Sequence, residues 1–133
     1  MDLQIPQSSS INITSFSTHP KILLIEDNRI IQKIHLDFLT MLDCEVDIAT
    51  TGAQAISMSK NNYDIILLDI GLPDVNGIEV GKTIRALHPN IPIIGITAYG
   101  DIIENECLAA GINEIATKPI RREQFYNLLS KYL

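Results

Sequence analysis

The stretch KILLIEDN, Lys21 to Asn28, poses the first physical problem of this chain. A short, mostly apolar run reads as a buried strand, yet it ends directly in Glu26 and Asp27. Adjacent carboxylates repel, and each loses hydration if it leaves water. Such a strand end calls for a compensating cation.

Outward from Lys21 the chain alternates between two patterns. Short apolar runs cover Lys21–Ile25, Glu45–Ala49, Asp64–Leu68, Ile91–Ile96 and Glu114–Thr117. Helical segments lie between and after them. Arg29–Leu42 sets Ile31, Ile34, Phe38 and Leu42 near one face at helical spacing. Thr51–Lys60 follows, with Gly52 near its start, and Ile78–Leu87 begins just after Gly77. In Ile102–Ala110, the preceding Asp101 and Glu104 have the spacing of a capping box. Arg121–Leu133 carries Phe125, Leu128, Leu129 and Tyr132 at i, i+3, i+4 and i+7. Strands alternating with helices predict an α/β fold, a parallel sheet covered on both faces. Ligands of such sheets bind beyond the carboxyl ends of the strands.

The residues at those ends form a chemical set. Glu26, Asp27 and Asn28 follow the first run, Asp69 the third, Thr97 the fourth, and Lys118 with Pro119 the fifth. Three carboxylates against one ammonium leave the edge negative. Mg²⁺, which favours octahedral oxygen and keeps several waters, would bring the formal sum to zero. A metal, a lysine and a hydroxyl beside a carboxylate make a site for a phosphoryl group. Asp69, at the end of the central strand, is the candidate nucleophile.

Taken together, IEDN, IILLDIGLPDVNGIE, IGITA and TKPI resemble the receiver domain of two-component response regulators, over about residues 20 to 133. The start EDNRIIQ is similar to receivers of hybrid histidine kinases. The resemblance implies a flavodoxin-like (βα)5 doubly wound parallel sheet with strand order 2-1-3-4-5. It implies that Asp69 accepts a phosphoryl group from a phosphohistidine, supplied by a histidine kinase or a histidine phosphotransfer protein. It implies that Asp27 and Asp69 bind Mg²⁺, with Glu26 acting directly or through water and the Gly71 carbonyl as a further ligand. Thr97 would bond the phosphoryl oxygen and Lys118 would pair with Asp69 or its phosphate, across a cis Lys118–Pro119 bond. The face of helix four, strand five and helix five, with Ile103, Ile115 and the region of Tyr126, would pass the change to a downstream protein. Such a domain is a phosphoacceptor that assists its own phosphorylation and dephosphorylation, not an enzyme with a separate substrate. Two features depart from the pattern. Ile115 replaces the usual aromatic switch, and Gly71 and Tyr99 occupy positions that tune attack of water.

Totals narrow the class further. The 133 residues fit one domain, 46% hydrophobic content suffices for a core, and the net charge is −6. That charge gives no nucleic-acid surface, and no run approaches the roughly 20 apolar residues of a membrane span. Cys44 and Cys107 lack metal-type spacing and read as reduced thiols, so a cytoplasmic protein is expected. Residues 1–19, rich in Ser and Thr, read as a flexible leader or linker on which Ile11, Ile13 and Phe16 could dock the body. Residues 20–133 form the domain, either standing alone or as part of a hybrid kinase. Asp74 and Asn76 read as turn residues, His35 as a packing histidine, and Asp37, Asp43 and Asp47 as solvated charge. Three alternatives have distinct requirements. A binding-only receiver would not need the acid set. A haloacid-dehalogenase-type phosphatase would need an acid where Gly71 stands. A flavodoxin-like carrier would need a neutral phosphate loop where Glu26 and Asp27 stand.

Overall fold

The apolar runs do become strands, and their period explains the architecture. The computed structural model describes residues 16–72 and 74–133. Its elements are β1 (Lys21–Ile25), α1 (Arg29–Met41), β2 (Glu45–Ala49), α2 (Gly52–Met58), β3 (Ile65–Asp69), α3 (Gly77–Leu87), β4 (Ile93–Thr97), α4 (Gly100–Ala109), β5 (Glu114–Thr117) and α5 (Arg122–Ser130). All strand pairs are parallel, and the sheet order is β2-β1-β3-β4-β5. This is the 2-1-3-4-5 order expected.

Successive strand side chains point to opposite faces. Leu23, Ile25, Ile66 and Leu68 therefore pack on one side with Ala55 of α2, Val80 and Ile84 of α3 and Cys107 of α4. Ile22, Leu24, Ile65, Leu67, Ile94 and Ile96 pack on the other with Leu39 of α1 and Phe125 and Leu129 of α5. Covered on both faces, the buried stretches Ile22–Ile25 of β1, 65–68 of β3 and 93–96 of β4 carry no polar side chain, which is why they read as continuous apolar runs.

Several boundaries differ from the sequence reading. β3 and β4 each extend one residue further, so Asp69 and Thr97 are the last residues of their strands and not the first of their loops. Parallel pairing continues through them: Asp69 is opposite Ile96, and Thr97 is opposite Thr117. The buried face of α1 centres on His35 and Leu39, whereas Ile34 is 44% exposed. Packing against α5 sets that face, with the His35 ring edge-on to Phe125 at 4.9 Å. The expected Asp101 cap is absent, since α4 already begins at Gly100 with Tyr99 before it and no side-chain cap. Gly100 lies tight over β5, where a Cβ would come 2.6 Å from the Thr117 hydroxyl. α2 ends at Met58 and runs on as a 3₁₀ turn, Ser59–Asn61, stopped by Asn62 at a φ of 58°.

Phe16 is fixed to the domain. Its N–H donates to the Leu42 carbonyl at 2.9 Å, and its ring stacks on Tyr126 at 5.2 Å. Ile11 and Ile13 lie outside the described residues. Cys44 and Cys107 are free and buried in different face clusters, and burial raises both thiols, Cys44 to about 11. Among the described residues no helix is long and apolar enough to cross a membrane.

Candidate functional site

Parallel strands deliver all their carboxyl ends to one edge, and the candidate residues meet there. An open cleft of about 250 Å³ is lined by Glu26, Asp27, Asn28, Ile31, Asp69, Gly71, Thr97, Ala98, Tyr99 and Lys118. Glu26 and Asp27 come from the end of β1, Asp69 from β3, Thr97 from β4 and Lys118 from the turn after β5. All six residues expected at the site thus lie around one cleft.

Local structure aims each group. Asn28 caps α1, its side-chain oxygen accepting from the N–H groups of Ile30 and Ile31 at 3.0 Å. Glu26 is buried, while Asp27 next to it is exposed at the rim. Glu26 Oε2 accepts from the Asn28 N–H at 3.2 Å, and its main-chain carbonyl accepts from Gln32 Nε2 at 2.6 Å. The Lys118–Pro119 bond is cis. Lys118 Nζ lies 3.3 Å from both Glu26 Oε1 and Asp69 Oδ1, bridging the two buried carboxylates. Asp69 Oδ1 also accepts from the Gly71 N–H at 3.1 Å. Thr97 Oγ1 accepts from the Tyr99 N–H at 3.0 Å, which leaves the hydroxyl hydrogen free to donate into the cleft.

The electrostatics show a surplus of negative charge in the cleft. Glu26 is pushed up to about 7, first by burial and then by the hydrogen bond and charge of Asp69; Lys118 offsets this only in part. One ammonium does not balance the carboxylates. Glu26, Asp27 and Asp69 each offer an oxygen, and these oxygens lie within 4.8 Å of one another. Among the described residues they are the one group of three or more acid, histidine or cysteine ligands. An all-oxygen donor set with surplus negative charge fits a small hard divalent cation.

Two contributors escaped the sequence reading. Gln32 supports the Glu26 backbone from one turn into α1, at a spacing that signals nothing by itself. Asp74, read as a turn residue, accepts from the N–H groups of Gly52 at 2.7 Å and Ala53 at 3.0 Å across 21 or more residues. These two bonds, Gly52 first, hold its carboxyl below the usual range. Asn76 does keep to local chemistry, capping α3 through a 2.8 Å bond from the Ile78 N–H. Ile115 turns inward and packs with the core, its Cδ1 close against Gly95.

Comparison with known proteins gives a consistent picture. The family described as response regulator receiver domain matches residues 22–130. The chain is 34% identical over 119 residues to the transcription factor SKN7 of Chaetomium thermophilum, covering 86% of this chain but only 15% of that protein. It is 32% identical to the two-component response regulator 24 of Arabidopsis thaliana, covering 82% of this chain and 81% of that protein. Among solved structures, the receiver domain of the sensor histidine kinase PA1611 from Pseudomonas aeruginosa, with a magnesium ion coordinated in its active-site cleft, is 32% identical. It superposes with a TM-score of 0.79 over 85% of this chain and 96% of that one.

Proposed function

The chain belongs to the response regulator receiver domain family, and from that premise we propose that Asp69 accepts a phosphoryl group from a phosphohistidine donor. The observation that carries this reading is the convergence of Glu26, Asp27 and Asp69 around Lys118, whose Nζ is 3.3 Å from two of them. An Asp69 carboxylate oxygen forms the new P–O bond, and the P–N bond to the donor imidazole breaks, the imidazole nitrogen keeping the electron pair. Lys118 offsets charge on the acyl phosphate so formed. The Thr97 hydroxyl, already oriented by the Tyr99 N–H, donates to a phosphoryl oxygen. Glu26, Asp27 and Asp69, with the Gly71 carbonyl, would hold Mg²⁺, which when bound supplies positive charge against the equatorial oxygens. The magnesium in the PA1611 receiver supports this metal.

The donor is a histidine kinase or histidine phosphotransfer protein, and the output partner is a protein that reads the α4–β5–α5 face. With Ile115 packed against Gly95, that readout runs through the loop after β4 and the start of α4, not through an aromatic flip.

Intact-mass analysis after incubation with a small acyl phosphate tests the proposal, with Mg²⁺ or with chelator. One added phosphoryl group that requires Mg²⁺ and is absent from Asp69→Asn is the expected result. No addition from either a small donor or a phosphorylated histidine phosphotransfer protein would sink it.

A further inference from the structure

The loop between β3 and α3 carries Gly71, the backbone donor expected to complete the metal site, and it is tied at both ends. The Gly71 N–H bonds Asp69 Oδ1 at 3.1 Å, and the Gly77 N–H bonds the Ile70 carbonyl at 2.9 Å. Its outer part is exposed: Gly71, Asp74, Val75 and Asn76 all face solvent. A short exposed loop with polar residues would ordinarily be free to move.

Asp74 ties the loop to α2. Its two carboxylate oxygens take the N–H groups of Gly52 and Ala53, the first two residues of α2. The third, from Gln54, goes to the Thr51 hydroxyl at 3.1 Å. The free donors of the first turn of α2 are thus shared between a local cap and a residue of the distant loop. The contact is close. A Cβ on Gly52 would fall 2.6 Å from a Val75 methyl, 2.8 Å from a Val80 methyl and 3.3 Å from Asp74 Oδ1, so these side chains would have to shift to admit one.

We propose that Asp74 is a positioning residue for the phosphoacceptor site: its strap to the start of α2 holds the β3–α3 loop so that the Gly71 carbonyl is preorganised for the divalent cation. The inference rests on the metal-dependent phosphoacceptor reading above, and it assigns part of the site's geometry to a helix that contributes no ligand. Groups that only orient ligands change metal affinity by about tenfold or more in well-ordered sites. An exposed carboxylate strap that acts through the loop backbone should fall at or below the lower end of that range.

The test compares Asp74→Ala with Thr51→Ala. Both remove a cap from the same helix, but only the first releases the loop. Mg²⁺ binding is read by amide chemical-shift titration of the unphosphorylated protein, which needs no phosphoryl transfer. Amide exchange at Gly52, Ala53 and Gln54 reports the caps. We expect Asp74→Ala to weaken Mg²⁺ about three- to tenfold and to speed exchange at Gly52 and Ala53. Thr51→Ala should speed exchange at Gln54 and leave the Mg²⁺ midpoint unchanged. Asp74→Asn, whose amide oxygen keeps one bond, should fall between wild type and Asp74→Ala. Equal Mg²⁺ shifts in Asp74→Ala and Thr51→Ala would overturn the proposal, leaving Asp74 a cap of α2 alone. So would an unchanged midpoint in Asp74→Ala. A wild type that shows no Mg²⁺ binding at all would instead fail the site reading, and the strap with it.

Discussion

The two edges of the sheet contrast in a way that size does not reveal. At the amino-terminal edge a cleft of about 340 Å³ is bordered by Ser59, Asn62, Tyr63, Asp64, His88 and Pro92. It is larger than the cleft of about 250 Å³ at the carboxyl edge. Yet the ionisable and hydroxyl groups at the larger one are paired. The Tyr63 hydroxyl donates to Asp47 at 2.7 Å, the Lys21 N–H donates to Asp64 at 2.8 Å, and Ser59 Oγ and His88 Nε2 lie 3.3 Å apart. At the carboxyl edge three carboxylates share one ammonium. A structural edge satisfies its own charges, whereas a binding edge leaves a surplus for something else to satisfy.

The sharpest way to break that contrast is Asp69→Asn. It should abolish phosphoryl uptake, at least about a hundredfold, since an amide is no nucleophile here. It should also raise metal-free thermal stability, by about 1 kcal/mol, because it removes a like charge from Glu26. The same variant should lose most of the stabilisation that Mg²⁺ gives wild type in a melting titration. Loss of stability in metal-free Asp69→Asn would mean that the edge carries no surplus.

Gly77→Ala probes the loop between the edges' chemistry and the core. A Cβ there would collide with the backbone of Ile70, and a backbone atom cannot swing aside. A loss of about 2 to 3 kcal/mol in a denaturant titration is expected, the upper part of the usual range for overpacked sites. Gly81→Ala would meet only side-chain carbons of Ile112 and Leu68 and should cost less.

How far the sequence disclosed this molecule follows the same division. The strands were legible because a sheet covered on both faces demands continuous apolar runs, whereas their order followed from the resemblance to receiver domains. The site was legible because each strand end contributes its residues from one short local stretch. Asp74 on α2 was not, since the contact joins positions 22 residues apart with no periodicity between them. Asp47 read as solvated charge because nothing local announces Tyr63 as its donor. The buried face of α1 was misassigned for a related reason. Ile34 and His35 are neighbours, and only the position of Phe125 decides which one turns inward.

Acid–base behaviour separates the two kinds of buried ionisable group. Glu26 is held up to about 7 against an ordinary 4.5. The folded state therefore binds more protons, and its contribution is present below about 4.5 and lost as pH rises through 7. His35 is lowered to about 4 against 6.5, first by burial and then by Lys118. Its contribution is present above 6.5 and lost as pH falls through 4. Nδ1 of His35 has no partner among the described residues, so burial is not offset by a hydrogen bond. The two slopes oppose each other across nearly the same window, so metal-free wild type should show a shallow profile. Glu26→Gln should expose the His35 slope, losing about 1 to 3 kcal/mol between pH 6.5 and 4, at about 1.4 kcal/mol per pKa unit. His35→Leu should expose the opposite one. Denaturant midpoints across pH check both, and a steep wild-type profile would show that one term dominates.

The smallest effect belongs to the matched edge and tests the contrast from the other side. Asp47→Asn weakens the bond from Tyr63, whose hydroxyl is pushed up to about 12 by burial and then by Asp47. The expected cost is about 1 kcal/mol, opposite in sign to Asp69→Asn. Tyr63→Phe removes the donor and should cost about as much, because Asp47 is only partly buried and can turn to water. The double variant should cost less than the sum, since each single change breaks the same bond. Mg²⁺ should shift the melting temperature of all three as it does in wild type. An additive pair would mean that the hydroxyl and carboxylate act separately, and the matched edge would then be matched in distance alone.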